Sequence, residues 1–388
     1  PTILTEPQDE IIYVGADGAI EPIPIVGTLA YINNGNAWVI SGSSTNKRPL
    51  TTDSALDSLV FSLSPDGRYL MYTAAPEDDD MFVNEFWLIH TDGNSDPVQL
   101  VPTDVLLAEW KPVADEAYII SYSTGEVRQI APYWQALNNL WTMEIDPDDG
   151  STLNIEEVVA ENSGGLYGWW GTIFSWSPDG QTLAWARADS AGILADDGEF
   201  VPLISYPVFN TSQPWSWRTT LSWSWNSQLL AVTAHGDPVG SEPPENSPAF
   251  DIAVTDLDGE FVATVYPAAG MWSAPRFSPL LGSDSDSSVR GYLAYMRARE
   301  RYNTVSGAYD LIVADRDGSN ARAIFPRSDQ PGMVTEDFGL TAQDFVWSPD
   351  GRQIALVYQG NLWVVDADSG VSHQLTFDGG AEHPVWTQ

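Results

Sequence analysis

The chain has 388 residues, of which 54 are Asp or Glu and only 16 are Lys or Arg, so its formal net charge is −38. A surface this acidic repels nucleic acid and anionic lipid, because both are bound through cationic side chains. The lack of cysteine excludes disulfides and thiolate metal sites, and no apolar run is long enough to predict a membrane-spanning helix. The 31 glycines and 27 prolines favour many short strands and turns.

The first predicted unit is an N-terminal extension, residues 1–27, which we expect to pack on the domain formed by residues 28–388. It contains a hairpin-like stretch at residues 12–20. Three short apolar segments follow at residues 28–31, 35–40 and 48–51. They match the second, third and fourth strands of the repeat that occupies the rest of the chain.

That repeat is marked by a turn, Ser-Pro-Asp-Gly, at residues 64–67, 177–180 and 348–351. Weaker copies lie near residues 111, 224 and 278, so the spacing between repeats is 47 to 70 residues. A short apolar strand precedes and follows each turn, and a second strand pair joined by an Asp-Gly turn comes next. Gly accepts the positive φ that such tight turns require. Each unit is therefore predicted to be a four-stranded antiparallel sheet.

Repeats of this size and content predict a β-propeller. Residues 383–386 match the first strand that the unit at residues 28–51 lacks, so the C-terminal strand is expected to complete the N-terminal blade and close the ring. The fold prediction is an all-β, seven-bladed propeller closed in this way. Six or eight blades remain alternatives, since the stretch at residues 12–20 has no place in the count.

The turn, the strand Gly-Asn-Leu-Trp-Val-Val-Asp at residues 360–366 and the ending Gln-Leu-Thr at residues 374–376 resemble the TolB-like propeller family with its WD40-like PD40 repeats. The resemblance covers residues 28–388 and implies the fold rather than an activity. The namesake's lipoprotein partnership is not carried over, because its additional α/β domain has no counterpart in residues 1–27. Similar repeats occur in propellers of prolyl-oligopeptidase-type peptidases, but this chain has no Gly-x-Ser-x-Gly nucleophile elbow.

If the four strands of a blade are named a to d outward from the axis, most long predicted connections are b–c and d–a connections, which share one face. Long loops on a rigid scaffold commonly carry binding sites. Aromatic side chains in these loops suit stacking on sugars or anchoring a protein partner, with packing over the blades as the structural alternative. The candidate binding residues are Tyr133, Trp134, Tyr167, Trp169, Trp170, Trp215 and Trp217.

Asp146, Asp148 and Asp149 are weak candidates for a Ca²⁺ site, because Ca²⁺ prefers oxygen ligands and the segment begins like an EF-hand loop. Its Gly comes one position early, however, and Asp-rich turns are most often structural. No other cofactor is expected. The four histidines, His90, His235, His373 and His383, show no metal-ligand spacing.

These observations predict a non-enzymatic, exported binding or scaffold propeller that recognises a protein at a bacterial cell envelope or surface. The acid excess, the polar and Trp-rich composition and the resemblance to envelope propellers favour export. A carbohydrate-binding propeller is the first alternative, with a polysaccharide partner. An enzyme of lyase or phosphoesterase type at the channel mouth is the second, and it would require buried carboxylates or histidines that converge there.

Overall fold

The computed structural model describes residues 2–5, 11–14, 22–75, 84–112, 117–130, 133–212, 215–281, 291–334 and 345–387. Within them the chain forms a seven-bladed β-propeller of four-stranded antiparallel sheets, as predicted. The a strands of neighbouring blades contact one another, which places them around the axis. A separate two-stranded sheet, Thr2–Thr5 with Ile11–Val14, lies at the N-terminus. That residues 1–27 pack on the ring stays a prediction.

Each blade has its four strands in the order a to d from the axis outward. Blade 1 consists of Ala381–Thr387, Pro24–Asn33, Asn36–Ser43 and Lys47–Pro49. Blade 2 consists of Leu56–Leu63, Tyr69–Ala74, Glu85–His90 and Val98–Thr103. Blade 3 consists of Val105–Trp110, Tyr118–Val127, Leu140–Ile145 and Thr152–Val159, and Trp134–Ala136 pairs with its b strand. Blade 4 consists of Ile173–Trp176, Leu183–Ala186, Ser190–Leu194 and Phe200–Ser205.

The other three blades follow the same plan. Blade 5 consists of Leu221–Trp223, Leu229–His235, Phe250–Asp256 and Val262–Tyr266. Blade 6 consists of Arg276–Phe277, Tyr292–Ala298, Ala308–Asp315 and Arg322–Phe325, with Met333–Val334 added beside its c strand. Blade 7 consists of Phe345–Trp347, Gln353–Tyr358, Asn361–Asp366 and Ser372–Gln374. The helical elements of the described chain are two 3₁₀ turns, Gly168–Trp170 and Pro244–Asn246.

The ring closes as the sequence predicts, because strand a of blade 1 comes from the C-terminus. Leu29 pairs with Trp386 and Thr28 with Thr387. The b strand begins at Pro24, four residues before the predicted domain boundary, and Ile25 is already buried in the core.

The hydrophobic core is divided among the seven interfaces between neighbouring blades, in the part of the chain that the structure describes. Alternate residues of each strand face opposite sides of the sheet, so a blade buries apolar side chains against both neighbours. The interface between blades 7 and 1 includes Leu29, Leu362 and Trp386. No blade can bury both its faces alone, and this makes the ring the unit of stability.

The Ser-Pro-Asp-Gly turn is specified by its serine. In blade 2 the Ser64 hydroxyl is fully buried; it donates to the Asp66 carboxylate (2.8 Å) and accepts from the Tyr69 backbone N–H (3.0 Å). In blade 7 Ser348 makes the same pair of bonds. The hydroxyl therefore satisfies the first N–H after the turn and orients the Asp, which explains why these residue types recur together.

The tryptophan before this turn joins neighbouring blades. In three blades its indole N–H donates to the backbone carbonyl of the a strand in the preceding blade. The pairs are Trp110 with Ser62 (3.2 Å), Trp223 with Ser175 (3.2 Å) and Trp347 with Arg276 (3.1 Å). These bonds hold adjacent blades in register near the axis.

Candidate functional site

The b–c and d–a connections form one face of the ring, which we call the loop face. The long connections predicted for it lie between the expected strands. In blade 3, however, strand b continues to Val127 and pairs with Trp134–Ala136, so part of the predicted b–c connection is antiparallel sheet. Residues 76–83 and 335–344 of two predicted loops lie outside the described residues.

Two of these connections, residues 128–139 of blade 3 and residues 160–172 between blades 3 and 4, are locked together by tryptophans. The rings of Trp134 and Trp170 meet edge to face, with their centroids 5.4 Å apart. The Trp169 indole N–H donates to the Trp134 backbone carbonyl. All three rings are partly buried. These predicted binding residues therefore pack against each other and support the loops from beneath.

Asn138 is the polar centre of the same structure. It is 1 % exposed, donates to the Gly168 carbonyl (2.9 Å) and accepts from the Thr172 hydroxyl (2.9 Å). The Asn138 backbone carbonyl accepts a hydrogen bond from the Asn162 side-chain amide (2.7 Å). A Cβ added to Gly164, whose φ is +65°, would lie 2.2 Å from the Asn138 side-chain oxygen. Sequence reasoning missed Asn138, and the only signal was an Asn pair and a Gly pair placed at the two loops.

Above this support the two loops expose four apolar or aromatic side chains. Their exposed fractions are 65 % for Ile130, 55 % for Tyr133, 57 % for Leu166 and 58 % for Tyr167. We call these four residues the loop-face patch. Tyr133 and Tyr167 have φ values of 75° and 58°, in a region that non-glycine residues rarely adopt. Strain of this kind persists only where surrounding structure imposes it, and here it projects two phenol rings outward.

Trp215 and Trp217 do not join the loop-face patch. Trp217 is 3 % exposed, packs on Phe250 and donates to the Met271 carbonyl (3.3 Å), which is the structural alternative named for these aromatics. Its segment leads directly into strand a of blade 5, and the ring packs in the interface between blades 4 and 5. Trp215 stacks on Trp272 with the centroids 6.0 Å apart.

Arg218 connects these two aromatic groups. Its guanidinium donates to the Gly171 carbonyl (3.0 Å) and to the Trp170 carbonyl, so it holds the end of the loop that carries Tyr167. Surrounding protein lowers the pKa of Arg218 to about 10, which still leaves it charged at neutral pH. The patch thus rests on a frame that extends from blade 3 to blade 5.

On the innermost strands, Glu109 is the group with the most perturbed titration. Burial raises the pKa of its carboxyl to about 8, against the hydrogen bonds that it accepts from the Ser175 hydroxyl (3.1 Å) and the Trp176 backbone N–H (3.2 Å). These bonds join blade 3 to blade 4, which is a structural use of the group. The sequence prediction did not single out Glu109.

The four histidines lie in four different blades. His90 ends strand c of blade 2, and His373 lies on strand d of blade 7. His383 is in the closing strand of blade 1. His235 is buried between two carbonyls, those of Pro207 (2.7 Å) and Ser247 (2.9 Å). Burial lowers the pKa of His373 and of His383.

The three Ca²⁺ candidates form the c–d turn of blade 3. The Asp146 carboxylate accepts from the Asp148 backbone N–H and the Asp149 carboxylate from the Ser151 N–H, each at 2.8 Å. Hydrogen bonds from the Ser151 side chain and, secondarily, from its backbone N–H lower the pKa of Asp149. Among the described residues no group of three or more His, Cys, Asp or Glu side chains is placed to hold a metal ion. The Asp146 and Asp149 carboxylates form hydrogen bonds within the turn, and a Ca²⁺ site at these residues stays a prediction.

The fold and this site define a β-propeller in which two connections of the loop face, where the structure describes them, are held together by side-chain contacts. Residues 306–385 match the model of the dipeptidyl peptidase IV N-terminal region. Among solved structures, a prolyl endopeptidase is similar over 91 % of this chain at 12 % identity (TM-score 0.52), and prolyl oligopeptidase B from Galerina marginata over 92 % at 10 % identity (TM-score 0.50). The chain spans about half the length of these two enzymes, 49 % and 50 %.

A putative TolB from Agrobacterium tumefaciens is similar over 92 % of this chain and 90 % of its own, at 14 % identity and a TM-score of 0.41. No curated protein matches the sequence. At these identities the comparisons establish the propeller fold and leave the TolB-like PD40 assignment as a resemblance. No helix in the described part of the chain is long and apolar enough to cross a membrane.

Proposed function

We propose that this chain is a non-enzymatic binding or scaffold propeller that is exported and recognises a protein at a bacterial cell envelope or surface. The observation that carries the proposal is the loop-face patch, in which Ile130, Tyr133, Leu166 and Tyr167 are each more than half exposed. Single exposed apolar side chains are common on protein surfaces, but here two loops that contact each other expose two apolar or aromatic side chains each, which favours an interaction site.

The support beneath the patch reduces the entropy cost of binding. The Trp134–Trp170 contact and the Asn138 hydrogen bonds hold both loops before any partner arrives. A surface that is already ordered loses less freedom on association, so more of the contact energy appears as affinity. Tyrosines are also frequent among the residues that dominate protein interfaces.

Electrostatics narrows the class of partner. With a net charge of −38, the propeller repels acidic proteins at long range and attracts basic ones. The expected partner therefore presents an apolar surface surrounded by neutral or basic residues. Export is in keeping with the acidic, polar and Trp-rich composition.

The non-enzymatic part of the proposal is supported by where the titratable groups lie. Glu109 is occupied by hydrogen bonds to Ser175 and Trp176, and the four histidines lie in different blades. An active site at the channel mouth would instead require several such groups to converge.

A carbohydrate-binding role is the second candidate. It is favoured by the exposed phenol rings of Tyr133 and Tyr167, since aromatic faces stack on sugars. The tryptophans predicted for this role are partly buried against each other, which leaves only the two tyrosines as platforms.

The test is affinity capture from the native cell envelope with three proteins: wild type, a Tyr133→Ala/Tyr167→Ala double variant, and Phe261→Ala. Phe261 is a matched control, because it is 52 % exposed but lies in the c–d turn of blade 5 on the opposite face. Captured proteins are identified by mass spectrometry, and the same three baits are tested against extracted envelope polysaccharide.

The proposal requires a protein that wild type and Phe261→Ala retain and that the double tyrosine variant loses. Retention of a polysaccharide with the same pattern would favour the second candidate. A protein that all three baits retain equally would show that the loop-face patch is not the binding surface.

A further inference from the structure

We propose that the loop face carries a second site, a cavity between blades 5 and 6 that binds a single carboxylate group of a ligand. The cavity has a volume of about 540 Å³, and its lining includes Tyr266, Arg297, Arg299, Arg301 and Asp310. It lies apart from the loop-face patch of blades 3 and 4. A cavity that binds no carboxylate would therefore not contradict the proposed function.

The three arginines reach the cavity from strand b of blade 6 and the residues that follow it. Arg297 lies near the end of strand b of blade 6, and the bond from the Arg299 N–H to the Ala308 carbonyl (2.9 Å) extends the pairing past the strand end. Side chains two residues apart on an extended chain share a face, which places Arg297 and Arg299 on one side. Arg301 reaches the same cavity from the turn that follows, in which the Asn303 N–H donates to the Glu300 carbonyl (3.0 Å). The intervening Glu300 bonds to the Asn303 side chain instead (3.3 Å).

The charge of the cavity is unbalanced. Three arginines and one acidic residue, Asp310, line it, and Arg299 engages the Asp310 carboxylate at 2.7 Å. The nearby Asp251 carboxylate accepts a hydrogen bond from the Ala268 backbone N–H (2.7 Å). Arg299 also donates to the Gln330 carbonyl (2.7 Å), so it is held in place. Within the described residues neither Arg297 nor Arg301 forms an ion pair, and each instead lies over a tyrosine ring, Tyr266 and Tyr302 respectively.

This imbalance stands out in a chain that has 16 cationic residues against 54 acidic ones. Like charges brought together in a cavity repel unless an anion compensates them. The guanidinium fork fits a carboxylate with two parallel hydrogen bonds, and Tyr266 offers a ring and a hydroxyl beside it.

The net negative charge of the chain favours a ligand with a single negative charge. A net charge of −38 disfavours a polyanion, whose other charges would lie over acidic surface. One carboxylate within the cavity is close enough for the arginines to dominate, since exposed charges beyond about 8–10 Å are screened. The group could belong to an acidic peptide side chain or to a uronic acid, and the shared chemistry is the carboxylate.

The affinity of the whole chain for three ligands is measured by calorimetric titration at constant ionic strength. The ligands are N-acetyl-glutamate α-amide, methyl glucuronoside and sodium sulfate. Wild type should show saturable binding of at least one of the two carboxylate probes. Arg297→Gln/Arg301→Gln should weaken it about tenfold or more, the loss expected for one charge-assisted hydrogen bond. The control Arg316→Gln/Arg352→Gln removes two exposed arginines from turns on the opposite face and should bind as wild type does.

A preference between the two carboxylate probes identifies the source of the group, peptide or sugar. If the double variant has a lower melting temperature than wild type, the single variant Arg301→Gln, at an exposed position, replaces it in the titration. The proposal is overturned if neither probe binds saturably, if sulfate binds more tightly than both, or if the control loses as much affinity as the cavity variant.

Discussion

The indole N–H of Trp386 donates a hydrogen bond of 2.6 Å to the backbone carbonyl of Val26, which joins residues 360 positions apart in the sequence. Next to it Leu29 pairs with Trp386, and the Thr387 hydroxyl donates to the Pro65 carbonyl of blade 2 (2.8 Å). The last strand therefore bonds to both the blade that it completes and the following blade.

Removal of this strand should destabilise the whole ring. Truncation after Gly380 deletes Ala381–Thr387 and exposes the core between blades 7 and 1. We expect a cooperative loss of about 3–5 kcal/mol or more in the free energy of unfolding, the scale of losing one large core side chain. Urea denaturation followed by tryptophan fluorescence measures it. Trp386→Phe, which keeps the strand but loses the Val26 bond, should cost much less, and unfolding of the truncation at the wild-type midpoint would contradict the closure argument.

Glu109 should make stability depend on pH. Its pKa is raised from an ordinary value of 4.5 to about 8, so its contribution is fully present below pH 4.5 and is lost as pH rises through 8. Glu109→Gln keeps an acceptor for Ser175 and cannot ionise. The variant should therefore gain stability relative to wild type as pH rises from 4.5 to 9.

Denaturation midpoints at several pH values, each compared with wild type, measure this difference. Glu161→Gln, at an exposed loop position, is the matched control and should run parallel to wild type. A constant difference between Glu109→Gln and wild type over this range would show that the carboxyl does not titrate as expected.

Salt should stabilise the propeller. At low ionic strength the net charge of −38 repels itself, and added NaCl screens this repulsion, so the melting temperature should rise between about 10 and 200 mM. Micromolar Ca²⁺ that adds a further saturable rise would indicate a specific site. An identical response to Mg²⁺ at equal ionic strength would assign the effect to screening alone.

Removal of the buried serine hydroxyl of the repeated turn should measurably lower the free energy of unfolding. Ser177→Ala removes the acceptor of the Thr182 N–H (2.9 Å) and the donor to Asp179 (2.6 Å) in a fully buried position. We expect a loss of about 1–3 kcal/mol in the free energy of unfolding, the penalty for leaving a buried polar group unsatisfied. Ser241→Ala, at an exposed loop position, should change stability by less than about 0.5 kcal/mol. Equal stability of the two variants would show that the serine hydroxyl does not specify the turn.

The loop-face support can be tested apart from the exposed rings. Trp169→Ala/Trp170→Ala should speed amide hydrogen exchange in residues 128–139 and 160–172, because it removes the ring contact with Trp134 and the bond to its carbonyl. Tyr133→Ala/Tyr167→Ala should leave exchange unchanged and weaken partner binding by about 2 kcal/mol or more, the scale of interface hot spots. If the tyrosine variant instead loosened both loops, the two roles would not be separable.

Much of the fold could be predicted from the sequence because its determinants are local. A Ser-Pro-Asp-Gly turn closes its own hydrogen bonds within six residues, as Ser348 does with Asp350 and Gln353, so each copy indicates a blade wherever it occurs. The closing strand was recognisable because residues 383–386 repeat the pattern that precedes such turns. Only the strand starts, such as Pro24, were displaced by a few residues.

The division of the aromatic residues between support and exposed surface could not be predicted, because it depends on contacts between distant segments. Trp217 and Tyr167 are both aromatics of d–a connections, yet the exposed fraction is 3 % for one and 58 % for the other. What decides is whether a neighbouring blade or loop covers the ring, as Phe250 and Met271 cover Trp217.

By itself the sequence determined the repeat and the ring closure, favoured seven blades over six or eight, and indicated the face that carries most long loops, because periodic turns and apolar strands act over a few residues. Only the tertiary structure decided that Ile130, Tyr133, Leu166 and Tyr167 are exposed on two loops that contact each other, that Asn138 holds these loops, and that Arg297 and Arg301 line one cavity. Burial and charge imbalance are properties of side chains that meet in space, and strand spacing along the chain carries no information about which loops fold over which neighbours.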